Sequence, residues 1–518
     1  MAVDKVIVTN VSRLKQKYGK AYPKVKAAID LLIAKDAARR PALRTVLVAI
    51  DSASAMARVK GDAVVRPDDD EAVKGAIDAV WKHHRPDYLL ILGAPDVVPH
   101  VLVSNPMAAS VVGEEGDDDP TVPTDVPYAC DAAFSRAPED FIAPTRVIGR
   151  LPDLDGATDA SYIVNLLKRA ASYVQRTRGD YGAHFALSAR VWQKSTRESV
   201  SNLFGPGALV HTSPPDGPRW PKADLAPRVH FINCHGDVYY PAFLGEGPSG
   251  NFVDAHTASH LVGRVTEGSV IAAECCYGAQ LYPPSKSKGQ AGIANTYLAE
   301  GAYGFLGSTT IAYGPSEGQG QADFICQFFI EAVMKGASLG RAALEARHRF
   351  TAQFSHLDPS DLKTAVQFQL LGDPSLQPIA ATPHAFGRSS AVKKALASGQ
   401  YKPESRGLRR LRLHRTGWNL DRTLGYTVRN IQGRAPIAVR RFLASALKSS
   451  RPQALKIRCY DVVYPERANA ALGGEPPARQ VYVASKVRRK RGVGPAITSV
   501  VVTVEGARMV HVRRVHSR

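Results

Sequence analysis

With 518 residues, 44% of them hydrophobic, and a formal net charge of +20, the chain is long enough for about two to four domains and at least one large core. It contains no stretch of about 18 or more uncharged apolar residues, so no membrane-spanning helix is expected, and six cysteines in this length exclude a disulfide framework. The first residues lack the basic-then-apolar layout of a signal peptide, which together with the cysteine usage makes a reducing, cytoplasmic setting the expectation.

In chain order, Val3–Thr9 reads as a strand, followed by amphipathic helices around 11–18 and 24–38. Ala42–Asp51, apolar at its centre, reads as a strand buried on both faces. Asp69–His84 is a helix and Tyr88–Leu92 a strand, so the order β-α-β-α-β predicts a parallel sheet. Gly113–Pro120 (GEEGDDDP) breaks the pattern. Its carboxylates suit calcium, but the twelve-residue calcium-loop pattern is absent, and a solvated loop is expected. Arg146–Arg150 is a short strand and Gly156–Arg176 a helix. A second α/β set follows, with strands near 184–191, 228–234 and 268–275, a helix at 291–300, a strand Gly304–Ser308, and helices Gln319–Lys335 and Ser338–Phe350. The body ends near Leu371–Leu376. Residues 383–410 are polar and basic, as in a linker, and 455–464, 479–486 and 497–514 alternate as antiparallel strands do.

The charge is uneven. Residues 385–518 hold 29 Lys/Arg and 6 Asp/Glu, whereas residues 1–384 hold 38 and 41. An acidic partner is therefore expected for the last part alone: nucleic acid, an anionic surface or an acidic protein. A basic, soluble β-rich domain without a specific ligand explains the same composition. The runs Arg406–Arg415 and Lys486–Arg491 would carry phosphate contacts, and no recognition motif accompanies them.

Two segments carry the chemistry. Val229–Gly236 (VHFINCHG) and Ser269–Gly278 (SVIAAECCYG) are apolar, strand-like runs that stop at His-Gly and at Cys-x-Gly. Parallel strands end at one edge of a sheet, so His235 and Cys276 are expected to meet there as base and nucleophile. The Gly236 and Cys276 amides would stabilise an oxyanion. Cys275 competes with Cys276, but successive strand residues face opposite sides, and only Cys276 has a glycine two residues on, as in the caspase signature. His256 and His260 are rival bases without a following glycine. A zinc site from Cys234, His235, Cys275 and Cys276 lacks C-x-x-C spacing, so no metal and no cofactor are expected.

These segments resemble the gingipain-like cysteine peptidases of the caspase–hemoglobinase clan, whose hallmark is an apolar strand ending in His-Gly and another ending in Cys. Further similar segments occur in the same order: YLLILGAPDVVPH at 88–100, DVPYAC at 125–130, RVIGRLP at 146–152, GAYGFLGSTT at 301–310 and LLGDPSL at 370–376. The resemblance covers roughly residues 1–380. It implies a caspase-like three-layer sandwich with a mostly parallel sheet in two α/β subdomains (1–180 and 181–382); beyond it, composition alone gives the linker 383–410 and a basic β-rich domain at 411–518. It also implies an endopeptidase acting on protein or peptide substrates, with His235 as general base and Cys276 as nucleophile. An inactive caspase-like scaffold with a nucleic-acid-binding C-terminal part is the alternative. The acidic residue that selects a basic P1 side chain in the arginine-specific members has no counterpart in RVWQKSTRES at 190–199, where Gln193 and Lys194 stand near the matching place. Gln193, Lys194 and Tyr277 are thus the expected substrate-contacting residues, and Lys194 with Arg197 would suit an acidic P1. No acid to orient the histidine is evident. Pro283–Gly292, just beyond the nucleophile, reads as a substrate-binding loop or a site of self-cleavage.

Overall fold

The computed structural model describes residues 3–109, 116–354, 357–380, 427–431, 433–449, 452–463, 478–490 and 493–518. The expected linker and the basic run at 406–415 lie outside them.

The body is built on one ten-stranded sheet. Its order is β2 (Thr45–Ala49), β1 (Lys5–Thr9), β3 (Tyr88–Leu92), β6 (Ile148–Leu151), β16 (Phe368–Gly372), β14 (Gly304–Ser308), β13 (Val270–Ala273), β9 (Val229–Asn233), β7 (His184–Ala189) and β8 (His211–Ser213). Every neighbouring pair is parallel except β14 and β16, which run antiparallel from Gly304↔Gly372 to Ser308↔Phe368. Two parallel half-sheets of opposite direction therefore share one core. The two expected subdomains are joined inside the sheet, because β16 pairs with β6 at Leu371↔Arg150.

Alternation along the strands sorts side chains to two faces. In β13, Ile271 and Ala273 enter the hydrophobic cluster shared with the helices Ser161–Ser172 and Ile293–Ala299. Val270 and Ala272 enter the one shared with the helices Gln321–Met334 and Leu339–Thr351. Helices thus cover both faces of this half-sheet, in three layers. The strands are apolar on both sides because neither side meets water.

Several segments that carry the family resemblance meet at buried ion pairs. Arg150 bonds Asp125 at 2.5 and 2.8 Å and also the carbonyls of Gly93 and Val98. Asp373 pairs with Lys5 of β1. These polar hubs tie the turns beyond the strands together, and their burial makes each partner indispensable to the other.

The acidic segment is not the solvated loop that its composition suggested. Its described part packs inward: Asp117 is 1% exposed, pairs with Lys363 and accepts from the Tyr313 hydroxyl at 3.1 Å. Asp119 accepts from the Tyr277 hydroxyl at 3.0 and 3.1 Å. A cation and two hydroxyls offset the desolvation of these carboxylates.

A three-stranded antiparallel sheet, β10 (His235–Gly236), β11 (Ala242–Glu246) and β12 (Phe252–Thr257), rises from the end of β9. The short pair β4 (Val101–Ser104) and β5 (Thr121–Thr124) lies apart. The C-terminal residues form a six-stranded antiparallel sheet in the order β15 (Tyr313–Gly314), β21 (Arg508–Ser517), β20 (Val493–Glu505), β19 (Arg479–Lys490), β18 (Ile457–Val463) and β17 (Thr427–Ile431). The alternating run 497–514 is thus two strands, broken at Gly506 with φ 59°. The edge strand β15 belongs to the body. One face of this sheet joins the body's second cluster through Val481, Val483 and Val501. The other is covered by the helix Ile437–Ala446.

Candidate active site

β9 and β13 are direct neighbours in register, ending with Ile232 opposite Ala273. His235 and Cys276 each stand three residues beyond that last pair. Gly236 lies against the loop that carries Cys276: a Cβ built on it would sit 1.7 Å from the Cys276 carbonyl oxygen. No side chain fits there, so the glycine is required by the closeness of the two strand ends.

The imidazole of His235 is wedged between Trp192 (ring centroids 4.2 Å apart) and Phe252 (4.6 Å). Its Nε2 is 2.8 Å from Glu246 Oε2. Burial lowers the imidazole pKa, partly opposed by Glu246, so the ring is neutral at pH 7. Glu246 is thus the acid beside the histidine, which the sequence did not make evident. It sits at the end of β11, eleven residues after the histidine, and the hairpin folds it back. Its only sequence signal is a lone carboxylate in the uncharged stretch Pro241–Gly250. Burial would raise its pKa, but His235 and Arg488 of β19 together hold it below the usual value.

Cys275 and Cys276 face opposite sides of the sheet. Cys275 accepts the Cys234 amide at 3.4 Å within the first cluster. Cys276 accepts the Ala312 amide at 3.3 Å and donates to the Ala312 carbonyl at 3.6 Å. Burial pushes the Cys276 thiol up to about 12, so it is protonated as it stands. Tyr277 holds φ 53°, a strained value for a non-glycine residue, and its hydroxyl is anchored on Asp119. That turn carries the chain away from the thiol.

The rival histidines are occupied elsewhere. His256 Nε2 and His230 Nδ1 share the Tyr297 hydroxyl at 2.6 and 2.9 Å. His260 Nδ1 pairs with the Thr257 hydroxyl at 2.7 Å. Among the described residues no group of three or more His, Cys, Asp or Glu is placed to hold a metal ion.

Arg518 lies in the centre of this arrangement. Its carbonyl oxygen accepts from the Gly236 amide at 3.4 Å and the Cys276 amide at 3.2 Å, and its own amide donates to the Ala312 carbonyl at 3.0 Å. Its side chain is fully buried. Nη2 bonds both Asp323 oxygens at 3.0 and 2.9 Å and the Pro315 carbonyl at 3.0 Å, while Nη1 bonds Asn233 at 2.9 Å. Glu274 lies 3.9 Å from Nη1, and the Trp192 ring stacks on the guanidinium at 4.9 Å. Burial and the neighbouring Asp323 push the Glu274 carboxyl well above the usual carboxylate range.

The two residues expected to contact substrate at 190–199 each have a side-chain partner within the body. Gln193 donates to the Thr212 hydroxyl at 2.6 Å. Lys194 pairs with Glu317 at 2.7 Å with most of its side chain exposed. The acid beside the Arg518 guanidinium is Asp323, on the helix Gln321–Met334 more than a hundred residues after that segment. The wall around Arg518 is therefore acidic, not basic. In sequence Asp323 looks like an ordinary first-turn acid of a helix, and only the fold brings that helix against β13.

No protein-family model and no curated protein matches the chain. Among solved structures, one described as "Structure of Protease" aligns over 99% of this chain and 97% of its own, at 12% identity and a TM-score of 0.46. Two structures of the Saccharomyces cerevisiae separase–securin complex align over 45% of this chain and 14% of theirs, at 15% and 14% identity and TM-scores of 0.29 and 0.27.

Proposed function

We propose that the chain is a cysteine endopeptidase of caspase-like design that cleaves after arginine. The observation that carries this reading is the placement of the Arg518 carbonyl between the Gly236 and Cys276 amides, with an acidic pocket around its side chain. Two backbone donors aimed at one carbonyl oxygen beside a thiol are what acyl transfer requires.

Cys276 passes its proton to His235 as its sulfur attacks the scissile carbonyl, whose oxygen becomes an anion held by the two amides. The C–N bond then breaks as His235 delivers a proton to the departing amine, leaving a thioester on Cys276. Water, deprotonated by His235, hydrolyses the thioester and regenerates the thiol. A cavity of about 470 Å³ bordered by His235, Glu246 and Trp192 gives that water access to the imidazole. Glu246 orients the ring and favours its charged form.

The test is hydrolysis of an arginyl fluorogenic peptide by the full chain. Cys276→Ala and His235→Ala should each reduce turnover at least ~100-fold. Turnover unchanged in Cys276→Ala would refute the reading.

The expected nucleic-acid partner is a weaker candidate. Arg488, Arg513 and Arg518 of the basic part already face Glu246, Asp358 with Asp361, and Asp323 of the body. The uneven charge thus has an internal counterpart. A titration with duplex DNA at low ionic strength checks the remainder, because phosphate binding weakens steeply with salt.

A further inference from the structure

We infer that the strand β21, with the Arg518 that follows it, is a built-in occupant of the substrate cleft that holds the site closed. The inference rests on the peptidase reading and goes beyond it, to the control of the site.

Four independent contacts place the strand as a substrate would lie. β21 pairs antiparallel with the edge strand β15, with Ser517 opposite Tyr313 and His516 opposite Gly314. Strand addition to a free edge is a general way of binding extended peptides. The Arg518 amide donates to the Ala312 carbonyl, the same backbone group that contacts the Cys276 thiol. The Arg518 carbonyl fills the position between the Gly236 and Cys276 amides. Its guanidinium fills the Asp323 pocket so closely that a Cβ on Gly314 would come within 2.1 Å of Nη2.

The same sheet grips the body at two further points. Arg488 of β19 bonds Glu246, the acid behind His235. Arg513 of β21 bonds Asp358 at 3.1 Å and Asp361 at 2.6 Å. Each arginine meets a buried carboxylate, and uncompensated buried charges are costly on both sides if the strand leaves. Because the occupant is tethered, its effective concentration is on the order of millimolar. A strand of only ~10 μM intrinsic affinity would then leave the site open about 1% of the time. An external arginyl peptide must compete with it, and apparent affinity falls by that open fraction.

Arg518→Ala in the full chain removes the anchor without touching Cys276, His235 or Glu246. It should raise kcat/KM for an arginyl peptide by roughly 10–100-fold over wild type, while Arg513→Gln, which loosens the strand away from the pocket, should give a smaller rise. A labelled peptide of sequence HVRRVHSR (residues 511–518) should bind the double variant Cys276→Ala, Arg518→Ala and not wild type, and a version ending in alanine should bind neither. Both single variants folded but no more active than wild type, or failure of the peptide to bind, would overturn the inference. Peptide binding with no Cys276-dependent hydrolysis in any variant would instead retain the occupant and refute the peptidase.

Discussion

Cys276 and His235 are both uncharged as the chain folds, one pushed up to about 12 and the other lowered, each chiefly by burial. A thiolate–imidazolium pair is not pre-formed, so proton transfer belongs to the attack itself. Glu246 then matters as the group that favours the charged imidazole. Replacing it with glutamine removes an anion that raises the His235 pKa. The limb of the kcat/KM pH profile that reports His235 should therefore move to lower pH, with kcat reduced ~10–100-fold, as steady-state kinetics would show. In the proposed reaction Asp323 acts through recognition. In a chain whose Arg518 is already replaced by alanine, Asp323→Asn should lower kcat/KM for arginyl peptides by roughly 100-fold or more, with little change for a small non-peptide thiol ester. Of these residues, His235 and Cys276 were readable because a strand followed by His-Gly or Cys-x-Gly is a local pattern. Glu246 and Asp323 were not, since each becomes special only when a hairpin or a helix returns it to the strand ends.

The glycines of the strand ends and of the cleft edge set the shape of the cleft. Gly236 touches the Cys276 carbonyl and Gly314 touches the guanidinium, so neither position tolerates a methyl group for different reasons. Gly236→Ala should displace an oxyanion donor and abolish turnover of every peptide. Gly314→Ala should penalise arginine in particular, shifting the preference among P1 side chains toward smaller ones, as a peptide-library assay would reveal. The apolar runs that became β1, β3, β9, β13 and β14 were legible from hydrophobicity alone, because buried parallel strands have no polar face. Less legible was β16: the body read as ending near Leu371–Leu376, yet Phe368–Gly372 is the antiparallel seam of the whole sheet. The helix Gln193–Phe204 was also missed, its polar composition (QKSTRESVSNLF) masking the buried Ser195, Thr196, Ser199 and Val200.

Taken whole, the molecule joins a near-neutral body to a basic sheet, and the charges of the two meet at the site. Composition revealed the asymmetry but could not say that the body itself supplies acidic partners for it. Burial has a second global consequence. His100, His230, His348 and His516 are held down to about 4 and His256 to about 3, in each case chiefly by burial. Between these values and the unfolded value near 6.5, the unfolded chain binds more protons than the folded one. Stability is therefore full above about pH 6.5 and is lost as pH falls toward 4. Thermal melts should show Tm falling steeply across that window, and a flat Tm would mean that these histidines are not buried neutral. The central assignment is tested most directly by covalent labelling. Wild type and Arg518→Ala chains are treated with peptidyl chloromethyl ketones carrying Arg, Lys or Asp at P1, and the adduct is mapped by mass spectrometry. A single adduct on Cys276, formed fastest with the arginyl probe and faster in Arg518→Ala, is the predicted result. An unlabelled Cys276, or a preference for the aspartyl probe, would contradict it.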